Sequence, residues 1–385
     1  MEQEKSVRDG KGKMQAGVAP VRLNTDAGTD DGSGRSSEEA SVMGVERRAG
    51  VKRPLGVAPP LQRRSKSLPT GVKVYPITFS QVRNAYKKVK RSGGRAGGVD
   101  GQSLEDYGHH LTANLYRLWN RLTSGSYHAS PVREVDIPKA DGGVRKLGIP
   151  TVEDRIAQQV IKSYLEPRLD PLFHPHSYGY RSKRNAKQAL REVRRQCWAY
   201  DYCIDLDIKS FFDEVSHDLL LKALRKHVSE KWVLRLIEQW LRAPIVEASG
   251  EWRIRVGRGT PQGGVISPLL SNLFLHYVLD VWLERKHPGL ALIRYADDAI
   301  VCCRSAARAE LVLKSIGERM TECGLRLHPV KTKIVFCKKG GSVQQSDYPV
   351  CFDFLGYRFQ PRTKRSSKSG KLFLGSSSQF SHLAV

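Results

Sequence analysis

The sequence predicts an α+β fold, and three observations carry that prediction. Helix-period apolar stripes alternate with short strand-like runs, and no internal repeat organises them. Residues 291–303, Ala-Leu-Ile-Arg-Tyr-Ala-Asp-Asp-Ala-Ile-Val-Cys-Cys, read as strand, tight turn and strand, because Asp favours turns and both flanks are apolar. The length of 385 residues allows two or three domain-sized units with a sizeable core.

The elements follow in order. Residues 1–72 are rich in Gly, Ser, Arg, Glu and Pro with few aromatics, which predicts a disordered, basic N-terminal extension. Order is expected from Pro76, with a helix over 79–90 and a Gly-rich turn at Ser92-Gly-Gly-Arg-Ala-Gly-Gly98. From Ser103 one helix carries the stripe Leu104, Tyr107, Leu111, Leu115, Leu118 and Leu122. Residues 132–138 read as a strand, 139–145 as a hairpin turn, and Thr151 as the cap of a helix burying Ile156, Val160, Ile161 and Leu165.

Tyr202-Cys-Ile-Asp-Leu-Asp-Ile208 is a strand interrupted by Asp205 and Asp207. Residues 219–242 are mainly helical, and 251–256 form a hairpin arm leading into Gly259-Thr-Pro-Gln-Gly-Gly264. The most apolar long run, 265–282, contains Pro268, Asn272, His276 and Asp280 and so reads as a buried helix, not a membrane span. A helix to Glu322 follows the Asp-Asp hairpin, and 352–359 closes the ordered part. The last 25 residues are rich in Ser, Lys and Gly and show no strong periodicity, so they read as a tail.

Composition narrows the partners. The formal net charge of +25, spread along the chain, points to a polyanion, most simply nucleic acid. Seven cysteines without a Cys-x-x-Cys pair fit small core residues in a reducing compartment better than a disulfide framework or zinc site. The N-terminus lacks an apolar signal core, so a cytoplasmic location without a membrane partner is expected.

The chemistry turns on carboxylates. An Asp-Asp turn alone is usually a solvated surface feature, but here the flanks are apolar. Like charges at the rim of a core repel unless a hard divalent cation sits between them. The strand at 202–208 offers a third carboxylate, and alternation points Asp205 and Asp207 to the same face, so spacing does not choose between them. Two carboxylate-bearing strands in a basic chain suit two-metal phosphoryl transfer, in which cations ~3.5–4 Å apart clamp the attacking and leaving oxygens. Lys139 and Arg145 flank a Gly-Gly turn and can both face a phosphate chain, and the Gly259–Gly264 loop lets backbone approach a ligand. No Walker-type loop is present, which disfavours an NTP-hydrolysing motor.

These pieces occur in a characteristic order. Gly98-Val-Asp-Gly101, Ile137-Pro-Lys139, Arg145-Lys-Leu-Gly-Ile-Pro150, Asp154-Arg-Ile-Ala-Gln-Gln159 and Ser177-Tyr-Gly-Tyr-Arg181 come first. Asp207-Ile-Lys-Ser-Phe-Phe-Asp213, Gly259-Thr-Pro-Gln-Gly-Gly264, Tyr295-Ala-Asp-Asp298, Gly324-Leu-Arg-Leu-His-Pro-Val-Lys331 and Phe354-Leu-Gly-Tyr357 follow. Over about residues 76–360 the chain resembles the bacterial group II intron-encoded reverse transcriptase and maturase family. The resemblance implies a right-hand polymerase with fingers (73–200) and an antiparallel palm sheet flanked by helices (201–360). The remaining 361–385 would be a short tail without the helical thumb, or maturase, domain.

The resemblance selects Asp207 over Asp205 and implies that Asp207, Asp297 and Asp298 hold two Mg2+ ions. It places Lys139 and Arg145 on the triphosphate, Gln262 beneath the incoming nucleotide and Phe212 against a ribose 2′-hydroxyl. Lys331 falls near the leaving phosphate, and Arg181 on nucleotide or template. The implied activity is RNA-directed DNA polymerisation, adding dNTPs to a DNA primer on an RNA template, with group II intron RNA as the expected partner. Alternatives are a stand-alone retron-like or defence reverse transcriptase, and a non-catalytic splicing cofactor or truncated inactive copy.

Overall fold

The computed structural model describes residues 75–138, 142–337, 347–365 and 372–380, with side chains as far as Pro361. The expected N-terminal extension and Lys139 lie outside the described residues.

Helix α1 (Phe79–Arg91) starts at a capping box. The Thr78 hydroxyl accepts from the Gln81 amide, and the Gln81 side chain accepts from the Thr78 amide. Its face of Val82, Ala85, Tyr86 and Val89 is buried. The single helix expected from Ser103 is two, α2 (Leu104–His109) and α3 (Leu111–Ser124). The break falls at His110, whose φ of −118° and ψ of 40° are not helical; the two segments still bury Leu104, Tyr107, Leu115, Leu118 and Leu122 of the expected stripe, and Leu111 is partly buried. Gly125 ends α3 at φ 75°, the left-handed position that glycine adopts without a Cβ penalty.

Strands β1 (Val132–Pro138) and β2 (Val144–Ile149) form the expected hairpin, with Asp136 opposite Lys146. Thr151 caps α4 (Val152–Leu169), which is buried almost all round. After a 3-10 turn come α5 (Ala186–Ala199), β3 (Tyr202–Leu206), the short α6 (Phe211–Glu214), α7 (His217–Arg225) and α8 (Lys231–Arg242). The two-residue strands β4 (Ile245–Val246) and β5 (Trp252–Arg253) extend the first sheet in the order β2-β1-β4-β5.

The apolar run is helical, as α9 (Ser267–Leu275) and α10 (Val281–Lys286) joined by a π-helical turn over His276–Asp280. Strands β6 (Ala291–Tyr295) and β7 (Asp298–Cys303), helix α11 (Ala306–Glu322) and strand β8 (Lys333–Phe336) follow. The second sheet has the order β6-β7-β3-β8, with every pair antiparallel. It separates two cores. Ile204, Leu206, Ala299 and Val301 join the large cluster with α9 and α11, while Cys203, Ile293, Ile300, Cys302 and Val335 join the smaller one.

The ending departs from the expected tail. Strands β9 (Phe352–Phe354), β10 (Tyr357–Arg365) and β11 (Leu372–Phe380) make a third antiparallel sheet, registered from Tyr357 opposite Phe380 to Arg365 opposite Leu372. Serine-rich sequence carries little period-2 signal, and β11 is specified by the ladder its partner offers. No described helix is long and apolar enough to cross a membrane.

Candidate active site

One cavity of about 760 Å³ collects Arg145, Asp207, Phe212, Gln262, Asp297, Asp298 and Lys331. These residues come from β2, the segment after β3, α6, the glycine-rich loop, the β6–β7 turn and the segment before β8.

Asp207 stands one residue beyond β3. Its backbone is clamped from the far side of the sheet edge: Thr332 Oγ1 accepts from the Asp207 amide at 3.2 Å, and the His328 amide donates to the Asp207 carbonyl at 2.8 Å. Lys331 Nζ lies 3.9 Å from Asp207 Oδ2. Asp205 does not line the cavity. It pairs with Ile300 and Lys333 within the sheet, and burial raises its pKa to about 7 against the opposing pull of Lys333.

Asp297 and Asp298 sit at the β6–β7 turn. Tyr295 pairs with Asp298, so the connection is the two residues Ala296 and Asp297. Ala296 adopts φ 57°, a left-handed conformation costly for a residue with a Cβ. Arg294, fully buried, holds that turn by donating from Nη1 to the Ala296 carbonyl at 2.8 Å. Its Nε and Nη2 donate to the two carboxylate oxygens of buried Asp280, both at 2.8 Å, and Nη1 also donates to Asn272 Oδ1 at 2.9 Å. Asn272 Nδ2 donates onward to the Gly179 carbonyl at 2.8 Å. Gly179 packs so close that a Cβ there would overlap the Ala296 backbone nitrogen. A bidentate, charge-assisted network of this kind fixes geometry because each partner is satisfied.

This network was missed from the sequence. Its signal was present in Asn272 and Asp280, polar residues inside the most apolar run, and in Arg294 within a buried strand. Tyr180, also unforeseen, lines the cavity, and burial and Asp297 raise its phenol pKa.

On the opposite wall, Arg145 Nε donates to Gln262 Oε1 at 3.0 Å. Backbone contact between β2 and the loop requires Gly263, where a Cβ would strike the Gly148 carbonyl. The Thr260 amide donates to the Phe212 carbonyl at 2.7 Å, and the Phe212 ring packs edge-on to Phe211. Arg181 is not part of the cavity. Its nearly buried guanidinium pairs with Asp170 at 2.8 Å and donates to the carbonyls of His174, Ser177 and Asp170. These bonds tie the 3-10 turn to the following loop and use the guanidinium's donors within the protein.

The electrostatics ask for a cation. Burial, then Asp297 and Asp207, push Asp298 up to about 7, and burial raises Asp297 as well. A hard, oxygen-seeking divalent ion suits carboxylate donors of this kind, and Asp207, Asp297 and Asp298 are the residues that would hold it. The carboxylates are spread along the wall. Among the described residues, only the thiols of Cys197, Cys203 and Cys337 converge three at a time within 4.8 Å.

The sequence model described as reverse transcriptase (RNA-dependent DNA polymerase) matches residues 137–359, which include this cavity's carboxylates and its basic wall. The chain belongs to the reverse transcriptase family. Among its relatives, protein YkfC of Escherichia coli (strain K12) is 32% identical over 310 residues, covering 71% of this chain and 78% of that protein. The group II intron-encoded protein LtrA of Lactococcus lactis subsp. cremoris is 34% identical over 174 residues, covering 45% of this chain and 28% of LtrA. A solved structure of telomerase from Candida albicans aligns at a TM-score of 0.48 and 10% identity, over 74% of this chain and 50% of that one. Reverse transcriptases work with divalent metal ions, in keeping with the carboxylate wall of this family member.

Proposed function

We propose that this protein is an RNA-directed DNA polymerase of the group II intron type, cytoplasmic, working with two Mg2+ ions on a DNA primer and an RNA template. Group II intron RNA is the template class the sequence resemblance favours. In this reading residues 73–200 form the fingers and 201–360 the palm. The observation that carries it is the meeting of Asp207, Asp297 and Asp298 with Arg145, Gln262 and Phe212 in one cavity.

Bound divalent ions would lower the pKa of the primer 3′-hydroxyl and neutralise charge on the leaving pyrophosphate. Asp207, Asp297 and Asp298 hold their carboxylates at two adjacent strand ends, so the positions they set do not reorganise during the reaction. Arg145 presents its guanidinium to the triphosphate while Gln262, bonded to it, floors the nucleotide site. Phe212 stands where a ribose 2′-hydroxyl would meet an apolar ring. The Lys331 ammonium, beside Asp207, offsets negative charge on the phosphate that departs. The 3′-oxygen forms the new bond to the α-phosphorus, its proton goes to solvent, and the bond to the β-phosphate bridging oxygen breaks.

Purified full-length protein should extend a DNA primer on an RNA template only when Mg2+ is added. Asp297→Asn should retain RNA affinity while the extension rate falls on the order of a thousandfold or more. Extension that survives in Asp297→Asn would reject the metal assignment. RNA binding by wild-type protein with no extension would favour a non-catalytic RNA-binding role.

A further inference from the structure

We propose that a second nucleic-acid site lies in the groove between α7, α10 and α11, and that it holds a single-stranded segment of RNA outside the catalytic cavity. The inference rests on the polymerase reading only in taking the ligand to be a polynucleotide.

The groove is two adjoining cavities of about 360 and 320 Å³ that share Lys226, Tyr277 and Arg319 and have no residue in common with the catalytic cavity. Its charged lining is Lys222, Lys226, Arg285, Lys286 and Arg319 against Glu322 alone. Among described residues, Arg319 has a carboxylate partner, Glu322 at 3.2 Å, and the other four cations form no ion pair. Unpaired cations that converge on a concavity raise the local concentration of a polyanion.

Aromatic side chains supply the complement. Lys226 Nζ sits 4.6 Å from the Tyr277 ring centroid, and His227 Nε2 and the Tyr277 hydroxyl share a hydrogen bond of 2.6 Å. Half-buried Trp282, edge-on to His287, lines the adjoining cavity beside Arg285 and Lys286. Cations that track phosphates beside an aromatic platform for a base are the two parts of sequence-tolerant single-strand binding. Both Tyr277 and the Val278 carbonyl, which accepts from Arg319 Nε at 3.2 Å, belong to the π-helical turn. Such turns are uncommon inside α-helices and frequently mark functional sites. A membrane surface fits less well, because the groove is concave and its aromatic rings are half-buried.

The test uses full-length protein, its Lys226→Ala/Arg285→Ala/Lys286→Ala variant, and two substrates. One is a short RNA–DNA hybrid that fills only the catalytic cavity; the other is the same hybrid with a long single-stranded RNA overhang. All three substituted side chains are exposed, so the variant should fold. Affinity and extension on the short hybrid should be unchanged, and affinity for the long substrate should fall by about tenfold or more. The plot of log affinity against log salt should become shallower by about two, from three lost contacts at ~0.7 each. In the wild-type protein, 4-thiouridine in the overhang should crosslink to the peptide containing Tyr277 and Trp282. Unchanged long-substrate affinity, or crosslinks confined to other peptides, would overturn the proposal. Failure of wild-type extension with the groove dependence intact would count against the polymerase reading alone.

Discussion

Ala296 is an alanine where the backbone asks for glycine, and its φ of 57° is maintained from below by a single buried guanidinium. Two outcomes follow at this scale. Arg294→Lys keeps the charge but not the fork, leaving Asp280 with an incomplete partner, so chemical denaturation should report a loss of about 3–5 kcal/mol. Ala296→Gly removes the Cβ penalty, and the same measurement should show a gain of about 0.5–1 kcal/mol. A third concerns protons. Asp205 and Asp298 have folded-state pKa values near 7, above their unfolded values. The folded chain therefore holds protons that the unfolded chain releases, and stability falls as pH rises between those two values. Without divalent ions, Asp205→Asn should lose less melting temperature than wild type between about pH 5.5 and pH 8. Residues were legible where chemistry is local: the Asp-Asp turn and the acidic strand stood out. Arg181 was harder, because its partner Asp170 and its carbonyl acceptors are set by a loop whose path no periodicity describes.

Elements were legible where a cap or stripe marks them, as with α1 behind Thr78 and α4 behind Thr151. The break at His110 and the pairing of β11 with β10 were not, since a helix break and a serine-rich strand depend on what packs against them. The contact between β2 and the glycine-rich loop gives this scale its prediction. In Gly263→Ala the added methyl must push the loop off the Gly148 carbonyl and carry Gln262 away from Arg145. Steady-state extension should then show the KM for dNTP raised by about tenfold or more with RNA affinity unchanged, as expected when a positioning contact shifts.

For the whole molecule, the charge of +25 was the plainest signal and the least specific. It predicts that RNA affinity falls linearly with log salt, and a surface making 6–10 phosphate contacts would lose about 10³–10⁵ between 50 and 200 mM. Binding titrations across that range check it, and a flat response would mean the charge does not face RNA. What composition could not give was the distribution of that charge between a catalytic cavity and a separate groove, which only the packing of α7, α10 and α11 shows.

The antiparallel register of β3 and β7 has a consequence for how this chain can vary. Leu206 is locked opposite Ala299, so Asp207 and Asp298 each stand one step past the same rung. The sheet thereby acts as a gauge that sets the spacing of the carboxylates, and the gauge has no intermediate settings. A single inserted residue in either strand would turn every side chain beyond it to the opposite face and carry an aspartate to the wrong side. Loops around this centre can lengthen, but these two strands can change only in steps of two.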